Sequence, residues 1–165
     1  MTSPIQIIDL THRKATIHDL QALVHLLIED ELGKTREQIN ESLDQRYFDA
    51  FHRIDADPNQ YLMVVCQVDD IIGTCHLTIM PSLTYTGSTR MQIEAVRVST
   101  KHRGQKIGEW MMQAAFEFAK SHQVAMIQLT TNKQRSRAKQ FYERLGFKAS
   151  HEGMKLHIHE KGTSF

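Results

Sequence analysis

The feature that most constrains the fold is a strand, a basic turn and a helix that follow one another in the centre of the chain. Apolar alternation predicts a strand over 91–98, and residues 105–121 carry apolar side chains at helical spacing. Gly104 lies in the turn and Gly108 in the first helical turn, so two positions lack a side chain that would block close approach. Because the first N–H groups of a helix have no intrahelical partner, the backbone of 104–108 is suited to binding a pyrophosphate.

The charge and spacing of this turn narrow the ligand class. Arg103 adds a guanidinium that contacts phosphate as a fork, and Lys106 adds a point charge. The spacing is not that of a Walker A loop, and the chain has no G-x-G-x-x-G dinucleotide fingerprint. Nucleotide hydrolysis and nicotinamide chemistry therefore lose support. An ordinary turn before a helix is the alternative to a phosphate site.

Composition sets the outer limits. The 165 residues are 41% hydrophobic and 24% charged, which is typical of one compact domain over 1–165. A formal net charge of +1 gives no reason to expect nucleic-acid or membrane binding. Cys66 and Cys75 lie in separate apolar runs and are expected to be buried free thiols. The first residues lack a signal-peptide pattern and no apolar run is long enough for a membrane span, so we expect a soluble cytoplasmic protein.

The remaining pattern predicts alternating strands and helices, which is typical of a mixed α/β (α+β) domain. Thr16 followed by Asp19 resembles a capping box that opens the first helix. Asp69 and Asp70 indicate a hairpin between two β-branched runs, and Gly146 is expected to end the last helix. The predicted strands are 5–10, 61–68, 71–80, 91–98, 124–131, 147–150 and 154–159, and the predicted helices are one after Thr16, one within 37–53, 105–121 and 134–145.

A second motif makes the prediction specific. Residues 130–147 read T-T-N-K-Q-R-S-R-A-K-Q-F-Y-E-R-L-G-F. Together with the earlier turn, this segment resembles the GNAT superfamily of acyl-CoA-dependent N-acetyltransferases, which have an R/Q-x-x-G-x-G/A turn after the fourth strand and an N-x-x-A-x-x-x-Y-x-x-x-G-F helix after the fifth. The resemblance covers nearly the whole chain, and it implies a mostly antiparallel mixed sheet of six to seven strands with about four helices. The matching residues are Arg103, Gly108, Ala138, Tyr142, Gly146 and Phe147.

The chain departs from these motifs at two positions. Lys106 stands where the first motif has its middle glycine, and Arg135 stands where the second has its asparagine. Either the backbone approaches the pyrophosphate less closely at Lys106, or the lysine side chain turns out to meet a phosphate oxygen. Asn132 lies three residues before the asparagine position, and whether Arg135 takes over a phosphate contact stays open.

The resemblance implies acetyl-CoA as the co-substrate. Its pantetheine arm is expected to pair like an added strand with the backbone of the fourth strand around Val96 and Val98. The acetyl group is expected to pass directly to a primary amine, without a covalent enzyme intermediate. The residues expected to contact acetyl-CoA are Val96, Arg97, Val98, Arg103, Gly104, Gln105, Lys106, Ile107, Gly108, Asn132, Arg135, Ala138, Phe141 and Tyr142.

Two residues are candidates for proton transfer. The resemblance makes Tyr142 the expected donor to the departing thiolate, although its spacing to neighbouring apolar residues also fits a core role. Glu94 is the expected base, because a carboxylate inside an apolar strand is costly unless it is paired or functional. Unbroken alternation would place Glu94 on the strand face of Val96 and Val98.

The role of Glu94 has alternatives. It can instead form an ion pair with Arg90, Arg97 or a cation of a neighbouring strand. A β-bulge, which is usual in the fourth strand of the family, would change the residues that face the cleft. In that case Gln92 and His76 are the next candidates, and many members of the family use a water chain instead of a dedicated base.

Other charged residues carry weaker signals. His157 and His159 share a strand face near His151, but without an acidic residue or cysteine at firm spacing we expect no metal site. Residues 29–31 are three carboxylates at the end of the first helix, where they oppose the helix dipole. We hypothesise that they attract a cationic amine, with ordinary surface exposure as the alternative.

The sequence therefore predicts a small cytoplasmic N-acetyltransferase that acts on a small-molecule or peptide amine. The alternative is an acyl-CoA-binding regulatory module that has lost turnover, which the departures at Lys106 and Arg135 allow. No nucleic-acid or membrane partner is expected. The sequence does not decide the oligomeric state, and a homodimer is one alternative, since dimers are frequent for this fold.

Overall fold

One sheet is the frame of the fold. The computed structural model describes residues 9–37 and 42–158. Within them five strands form the sheet: β1 (Leu10–Lys14), β2 (Gln60–Gln67), β3 (Asp70–Met80), β4 (Arg90–Val98) and β5 (Met126–Leu129). The strands lie in sequence order, with antiparallel pairs up to β4 and a parallel pair between β4 and β5. The predicted mixed, mostly antiparallel sheet is confirmed.

Helical segments connect the strands. The described residues form α1 (Leu20–Ile28), α2 (Glu31–Lys34), α3 (Gln45–Ala56), α4 (Thr84–Gly87), α5 (Ile107–Ser121) and α6 (Ser136–Arg144). The segments α2 and α4 are single turns, and Tyr85 and Thr86 in α4 have left-handed backbones with φ of 50° and 58°. The chain divides into two compact units: the first ends at Leu129, and the second, which contains α6, begins at Thr130.

The sheet face covered by α5 is apolar, and we call it the α5 face. Side chains alternate along a strand except at β-bulges, so in the regular stretches of β2, β3 and β4 every second residue points to this helix. Burial raises the pKa of the Cys75 thiol to about 12, and both cysteines are buried and free as predicted. The residues of this face that are at most 1% exposed are Met63, Val65, Cys75, Leu77, Met91 and Ile93, and α5 adds Ile107, Met111, Met112 and Ala115.

The opposite face carries α1 and α3, and we call it the cleft face. An ion pair anchors the start of α1, because Arg13 donates to both carboxylate oxygens of Asp19 at 2.6 and 2.9 Å. Asp19 also accepts the Thr16 N–H at 2.7 Å, which confirms the predicted capping box. The hydrogen bond from Arg13 is the main reason why the pKa of Asp19 falls to about 2. The core below these helices contains Leu20, Leu23, Val24, Phe51, Val64 and Cys66.

Most element predictions agree with the structure. The strands predicted at 61–68, 71–80 and 91–98 correspond to β2, β3 and β4, and the hairpin at Asp69 and Asp70 is confirmed. The predicted strand 5–10 lies almost entirely outside the described residues, and β1 begins only at Leu10. The helix predicted within 37–53 starts later, at Gln45, because Asp44 caps it through the Arg46 N–H.

The predicted strand count is wrong. Six to seven strands were expected, whereas the sheet within the described residues has five. The strand pair predicted over 147–150 and 154–159 does not form in its described part, which ends at Ile158. Met154, Leu156 and Ile158 do alternate as in a strand, but they are 94%, 60% and 62% exposed. Alternation defines a face, whereas a strand also requires a hydrogen-bonding partner for its backbone.

Candidate active site

A β-bulge in β4 determines which of its side chains face the cleft. Thr74 of β3 lies opposite Arg97, but His76 lies opposite Glu94, so the register shifts between them. Two residues of β4 therefore lie opposite one residue of β3, and Ala95 has a left-handed backbone with φ of 50°. The bulge that was predicted as an alternative is present.

The bulge separates Glu94 from the valines that follow it. In the strand register, Glu94 of β4 lies opposite His76 of β3, and its side chain is on the cleft face. Val98 lies opposite Gly73, which approaches α5, so Val96 and Val98 belong to the other face. The unbroken alternation that would place the three side chains together is wrong, because the extra residue of the bulge reverses the pattern.

One edge of β4 is open beyond the bulge. The strand β5 pairs with residues 90–93 of β4, so within the described residues 94–98 have only β3 as a strand partner. The Val96 carbonyl accepts a hydrogen bond from the Arg97 guanidinium at 2.9 Å, and the Val98 carbonyl accepts one from Arg103 at 3.3 Å. An extended amide can add to such an edge through main-chain hydrogen bonds, as the pantetheine prediction requires.

The start of α5 has the features of an anion-binding turn. Gly104 has φ of 78° with open space beside it, and Lys106 has φ of 62°. The Trp110 N–H donates to the Lys106 carbonyl, so the N–H groups of residues 107–109 have no acceptor within the helix. His102 Nδ1 and Gln105 Oε1 are buried and form no hydrogen bond within the described residues. This turn therefore fits a phosphate-bearing group.

A cleft of about 710 Å³ lies between α3 and the cleft face. The strands contribute Gln60, His76, Thr78 and Glu94. Gln60 Oε1 lies 2.6 Å from His76 Nε2 and accepts the Thr78 hydroxyl at 2.9 Å. Burial lowers the pKa of His76, while the Glu94 carboxylate opposes that shift. The cleft therefore places a neutral imidazole beside a carboxylate, which is a pair able to take up a proton from a bound amine.

Glu94 is not neutralised by the neighbouring cations. It is exposed, and it forms no hydrogen bond or ion pair within the described part of the chain. Arg97 pairs instead with Asp30, at 3.6 Å, and Arg90 donates to Gln128 at 3.5 Å. Gln92, another candidate for the base, accepts a hydrogen bond from the same Gln128 at 2.8 Å.

The carboxylates at the end of α1 have structural contacts. Glu29 accepts the Thr100 N–H at 2.5 Å and the Ser99 hydroxyl at 3.4 Å. Asp30 accepts the Gly33 N–H at 2.6 Å and so caps α2. Both residues therefore hold the segment after β4 or the turn after α1. These contacts favour a structural role over attraction of an amine, which stays a prediction.

The second unit contains the other predicted residues. The Gly146 N–H donates to the Glu143 carbonyl and the Phe147 N–H to the Tyr142 carbonyl, while Gly146 has φ of 97°. These bonds form a Schellman cap at the end of α6. The rings of Tyr142 and Phe147 lie 5.8 Å apart, which is the hydrophobic contact that accompanies such a cap. The ring of Tyr142 thus has a structural role, and its hydroxyl as the acid stays a prediction.

The start of α6 carries the remaining predicted cofactor residues. Asn132 accepts the Gln134 N–H with its side chain at 2.9 Å, which forms an Asx turn. Arg135 is the N-cap residue of α6, and Ala138 and Phe141 lie within the helix. Asn132 therefore shapes the turn before the helix, whatever its role towards a ligand.

Sequence reasoning missed the helical wall of the cleft. Arg53 and Asp57 line it from the end of α3, and Thr78 and Gln60 line it from the strands. The polar residues at 74, 76 and 78 alternate with apolar ones along β3, and that alternation was the available signal for a solvated face. The position of α3 above this face had no signal in the sequence.

The described residues contain neither a cluster suited to a metal ion nor a helix suited to a membrane. No group of three or more His, Cys, Asp or Glu side chains among them is arranged to hold a metal ion. His151 and His157 are exposed, and His159 lies outside the described residues. None of the helices in this part of the chain combines the length and apolar character needed to cross a bilayer.

Comparison with known proteins agrees with this geometry. The chain is 30% identical over 139 residues to the aminoalkylphosphonate N-acetyltransferase of Salmonella typhimurium, which covers 84% of this chain and 85% of that protein. A transcriptional regulator from Bacillus halodurans C-125 is 47% identical, with a TM-score of 0.88 over 90% of this chain and 99% of that one.

The fold is also that of an enzyme with little sequence similarity. Glucosamine-6-phosphate N-acetyltransferase from Arabidopsis thaliana is 21% identical, with a TM-score of 0.73 over 90% of this chain and 98% of that one. The model of the acetyltransferase (GNAT) family matches residues 20–147. The family model and the Salmonella relative show that the chain belongs to the GNAT family of acetyltransferases, and the open edge of β4 and the N–H groups at the start of α5 agree with this.

Proposed function

We propose that this protein transfers the acetyl group of acetyl-CoA to the primary amine of a small molecule or peptide by direct attack of the amine. The observation that carries the proposal is the pair of His76 and Glu94, which lines the cleft beside the β4 bulge. The pair provides a proton acceptor where β4 has an open edge. Membership of the GNAT family supports the reaction class.

Different parts of the chain bind different groups of acetyl-CoA, which supplies the acetyl group as a thioester. The unpartnered N–H groups of residues 107–109 bind the pyrophosphate, with Arg103 and Lys106 as countercharges. The open edge around Val96 and Val98 binds the pantetheine amides. The α6 residues that match the family motif complete the predicted set.

Two proton transfers accompany the reaction. The amine nitrogen forms a bond to the acetyl carbon and loses a proton, and the carbon–sulfur bond breaks to release the thiol. Glu94, assisted by His76, accepts the amine proton, because both side chains face the cleft. Tyr142 donates a proton to the departing sulfur.

The acceptor is a small amine that carries a negative group. The Salmonella relative is named for aminoalkylphosphonates, which contain an amine and an anion in one molecule. Arg53 lines the same cleft as Glu94 and has no hydrogen bond or ion pair within the described residues. Its guanidinium can bind a phosphonate while Glu94 attracts the amine. Aminoalkylphosphonates are therefore the first acceptors to assay.

The test is amine-dependent release of CoA thiol by the wild-type protein and two variants. Tyr142→Phe keeps the ring that packs on Phe147 and removes only the hydroxyl, and Glu94→Gln removes only the charge. Each should lower kcat about 100-fold or more if it removes a proton-transfer group. Arg53→Gln serves as the acceptor test and should raise KM for aminoalkylphosphonates but not for uncharged amines. Absence of thiol release with every amine would refute the proposal.

A second function is supported by the Bacillus halodurans relative, which is named a transcriptional regulator. In that case the chain is an acyl-CoA-binding regulatory module without turnover. Acetyl-CoA at 100 times its dissociation constant should then stabilise the protein by about 2.7 kcal/mol while no thiol is released. DNA binding that weakens steeply with salt would extend this function to nucleic acid, and no dependence on salt would exclude an electrostatic complex.

A further inference from the structure

An apolar cavity lies between α1, α3 and the cleft face. Its volume is about 150 Å³, and its wall includes Leu62 of β2 and Ala95 of the bulge. Leu23, Val24 and Phe51 also line it and are 5%, 1% and 4% exposed. The space opens to solvent on one side, where the exposed residues Ala50 and Ala95 line it, so it is an apolar pocket with a mouth and not an enclosed void.

The polar groups in the wall are already hydrogen-bonded. Thr74 donates its hydroxyl to the Met63 carbonyl at 2.7 Å, and His76 Nε2 lies 2.6 Å from Gln60 Oε1. The cavity therefore presents mainly carbon to a ligand, and water inside it would find few partners. Apolar cavities of about this volume stay dry and bind compact hydrocarbons such as benzene.

The cavity adjoins the cleft of the candidate active site. Ala50, Ile54 and His76 border both spaces. Glu94 lines the cleft, and the next residue, Ala95, lines the cavity. A molecule with its amine beside Glu94 therefore has its neighbouring carbon atoms within reach of the cavity.

We propose that the cavity binds an apolar substituent that the acceptor amine carries in addition to its negative group, a compact alkyl or aryl group of about four to six carbon atoms. The inference rests on the proposed function, since it takes the amine to lie beside Glu94 and His76. Burial of each methylene group favours binding about fourfold. The cavity thus selects amines with a short apolar group over methylamine and over long polar polyamines, and the nitrogen stays at the cavity mouth.

The experiment is a binding titration that does not depend on turnover. The protein is titrated with primary n-alkylamines from methylamine to hexylamine, and the methyl resonances of Leu23 and Val24 report occupancy of the cavity. The dissociation constant should fall about fourfold for each methylene group until the cavity is full. Dissociation constants that do not change with chain length would overturn the proposal.

Two alanines of α3 provide a matched pair of variants. Ala50 borders the cavity and the cleft, whereas Ala56 borders only the cleft. Both side chains are exposed, so leucine at either position is compatible with folding. Ala50→Leu should block the mouth and remove the dependence on chain length, and Ala56→Leu should retain it. Equal chain-length dependence in both variants would place the alkyl group elsewhere and overturn the proposal.

A second measurement distinguishes the amine substituent from a long acyl chain. Thiol release is followed with methylamine and with acetyl-, propionyl- or butyryl-CoA. If Ala50→Leu abolishes use of butyryl-CoA and leaves the amine titration unchanged, the cavity binds the acyl chain and the proposal is wrong. If the dissociation constants follow the amine chain length but no thiol is released, the cavity inference stands and the proposed transfer fails.

Discussion

The two faces of the sheet use the same strands for different purposes. On the α5 face, Leu77 and Ile93 lie opposite each other at 0% and 1% exposure beneath α5. On the cleft face, the next residues along the same strands, Thr78 and Glu94, line the cleft. Because side chains alternate, one strand can supply a sealed core and a polar reaction surface at once. The packed core and the polar cleft are thus separated by a single residue step along each strand.

The bulge at Ala95 marks the place where this alternation changes. Before it, Glu94 faces the cleft, and after it, Val96 faces α5. A left-handed backbone is unfavourable for a residue other than glycine, so the bulge persists only because both flanking pairings fix it. Within the described residues, the segment that follows the bulge has β3 as its strand partner.

Substitutions at two neighbouring residues of β3 should give the largest difference between the faces in the free energy of unfolding. Leu77→Ala should lower the free energy of unfolding by about 3 to 4 kcal/mol, because Leu77 is 0% exposed and its loss leaves a cavity. Thr78→Ala should cost about 1 kcal/mol, since it removes one hydrogen bond to Gln60 from a half-buried site. Urea denaturation measures both. Equal losses would show that the cleft face is as tightly packed as the α5 face.

The anchor of α1 tests how the cleft face is held together. Asp19→Asn should cost about 2 kcal/mol, because it weakens the bonds to Arg13 and to the Thr16 N–H. The pKa of Asp19 is lowered from 3.8 to about 2, so this stabilisation is complete above about pH 4 and is lost as the pH falls towards 2. Acid denaturation of the variant should therefore be flatter in that range.

A second capping aspartate provides the control for this acid effect. Asp44→Asn removes the negative charge of the side chain that accepts the Arg46 N–H at the surface end of α3, and it keeps an oxygen able to accept that bond. Its loss should be smaller than that of Asp19→Asn, because Arg46 is solvent-exposed and water screens the pair. A larger loss at Asp44 would mean that the cleft face depends on α3 more than on the anchor of α1.

The start of α5 should become more stable when its departure from the family pattern is reversed. Lys106 has φ of 62°, which a glycine adopts freely and a lysine does not. Lys106→Gly should therefore raise the free energy of unfolding by about 0.5 to 1 kcal/mol. Lys106→Ala keeps the strain and should give no such gain. Both variants should bind acetyl-CoA less tightly if the ammonium contacts a phosphate, and unchanged affinity would assign the contact to the backbone.

The sequence predicted those parts of the fold that depend on local pattern. The capping box at Thr16 and Asp19 and the hairpin at Asp69 and Asp70 were predictable because their residues are adjacent. The end of α6 was predicted from Gly146, and its Schellman geometry gives a physical reason for the motif that joins Tyr142 to this glycine.

The parts that could not be predicted depend on distant partners. Whether Glu94 and Val96 share a face of the sheet depends on a register shift between β4 and β3. No residue type in β4 indicates that shift. The wall formed by Arg53 depends on how α3 packs on the sheet. Whether the exposed segment at 154–158 forms a strand depends on a neighbouring strand, which its alternation does not provide. The sequence therefore predicted single candidate residues such as Glu94, but not which distant residues lie beside them in the fold.

The smallest expected effect is a change in the pKa of His76, whose surroundings on the cleft face differ from those of Cys75 on the α5 face. Burial alone raises the pKa of Cys75 on the α5 face to about 12, whereas burial and the Glu94 carboxylate act in opposite directions on His76. Because the folded pKa of His76 lies below its ordinary value of 6.5, the folded state binds fewer protons, and stability should decline as the pH falls through about 6.5. Glu94→Gln should lower the pKa of His76 further, since burial then acts without the opposing charge. NMR titration of the His76 ring measures this directly, and a pKa that rises or stays constant in the variant would show that the carboxylate does not act on the imidazole.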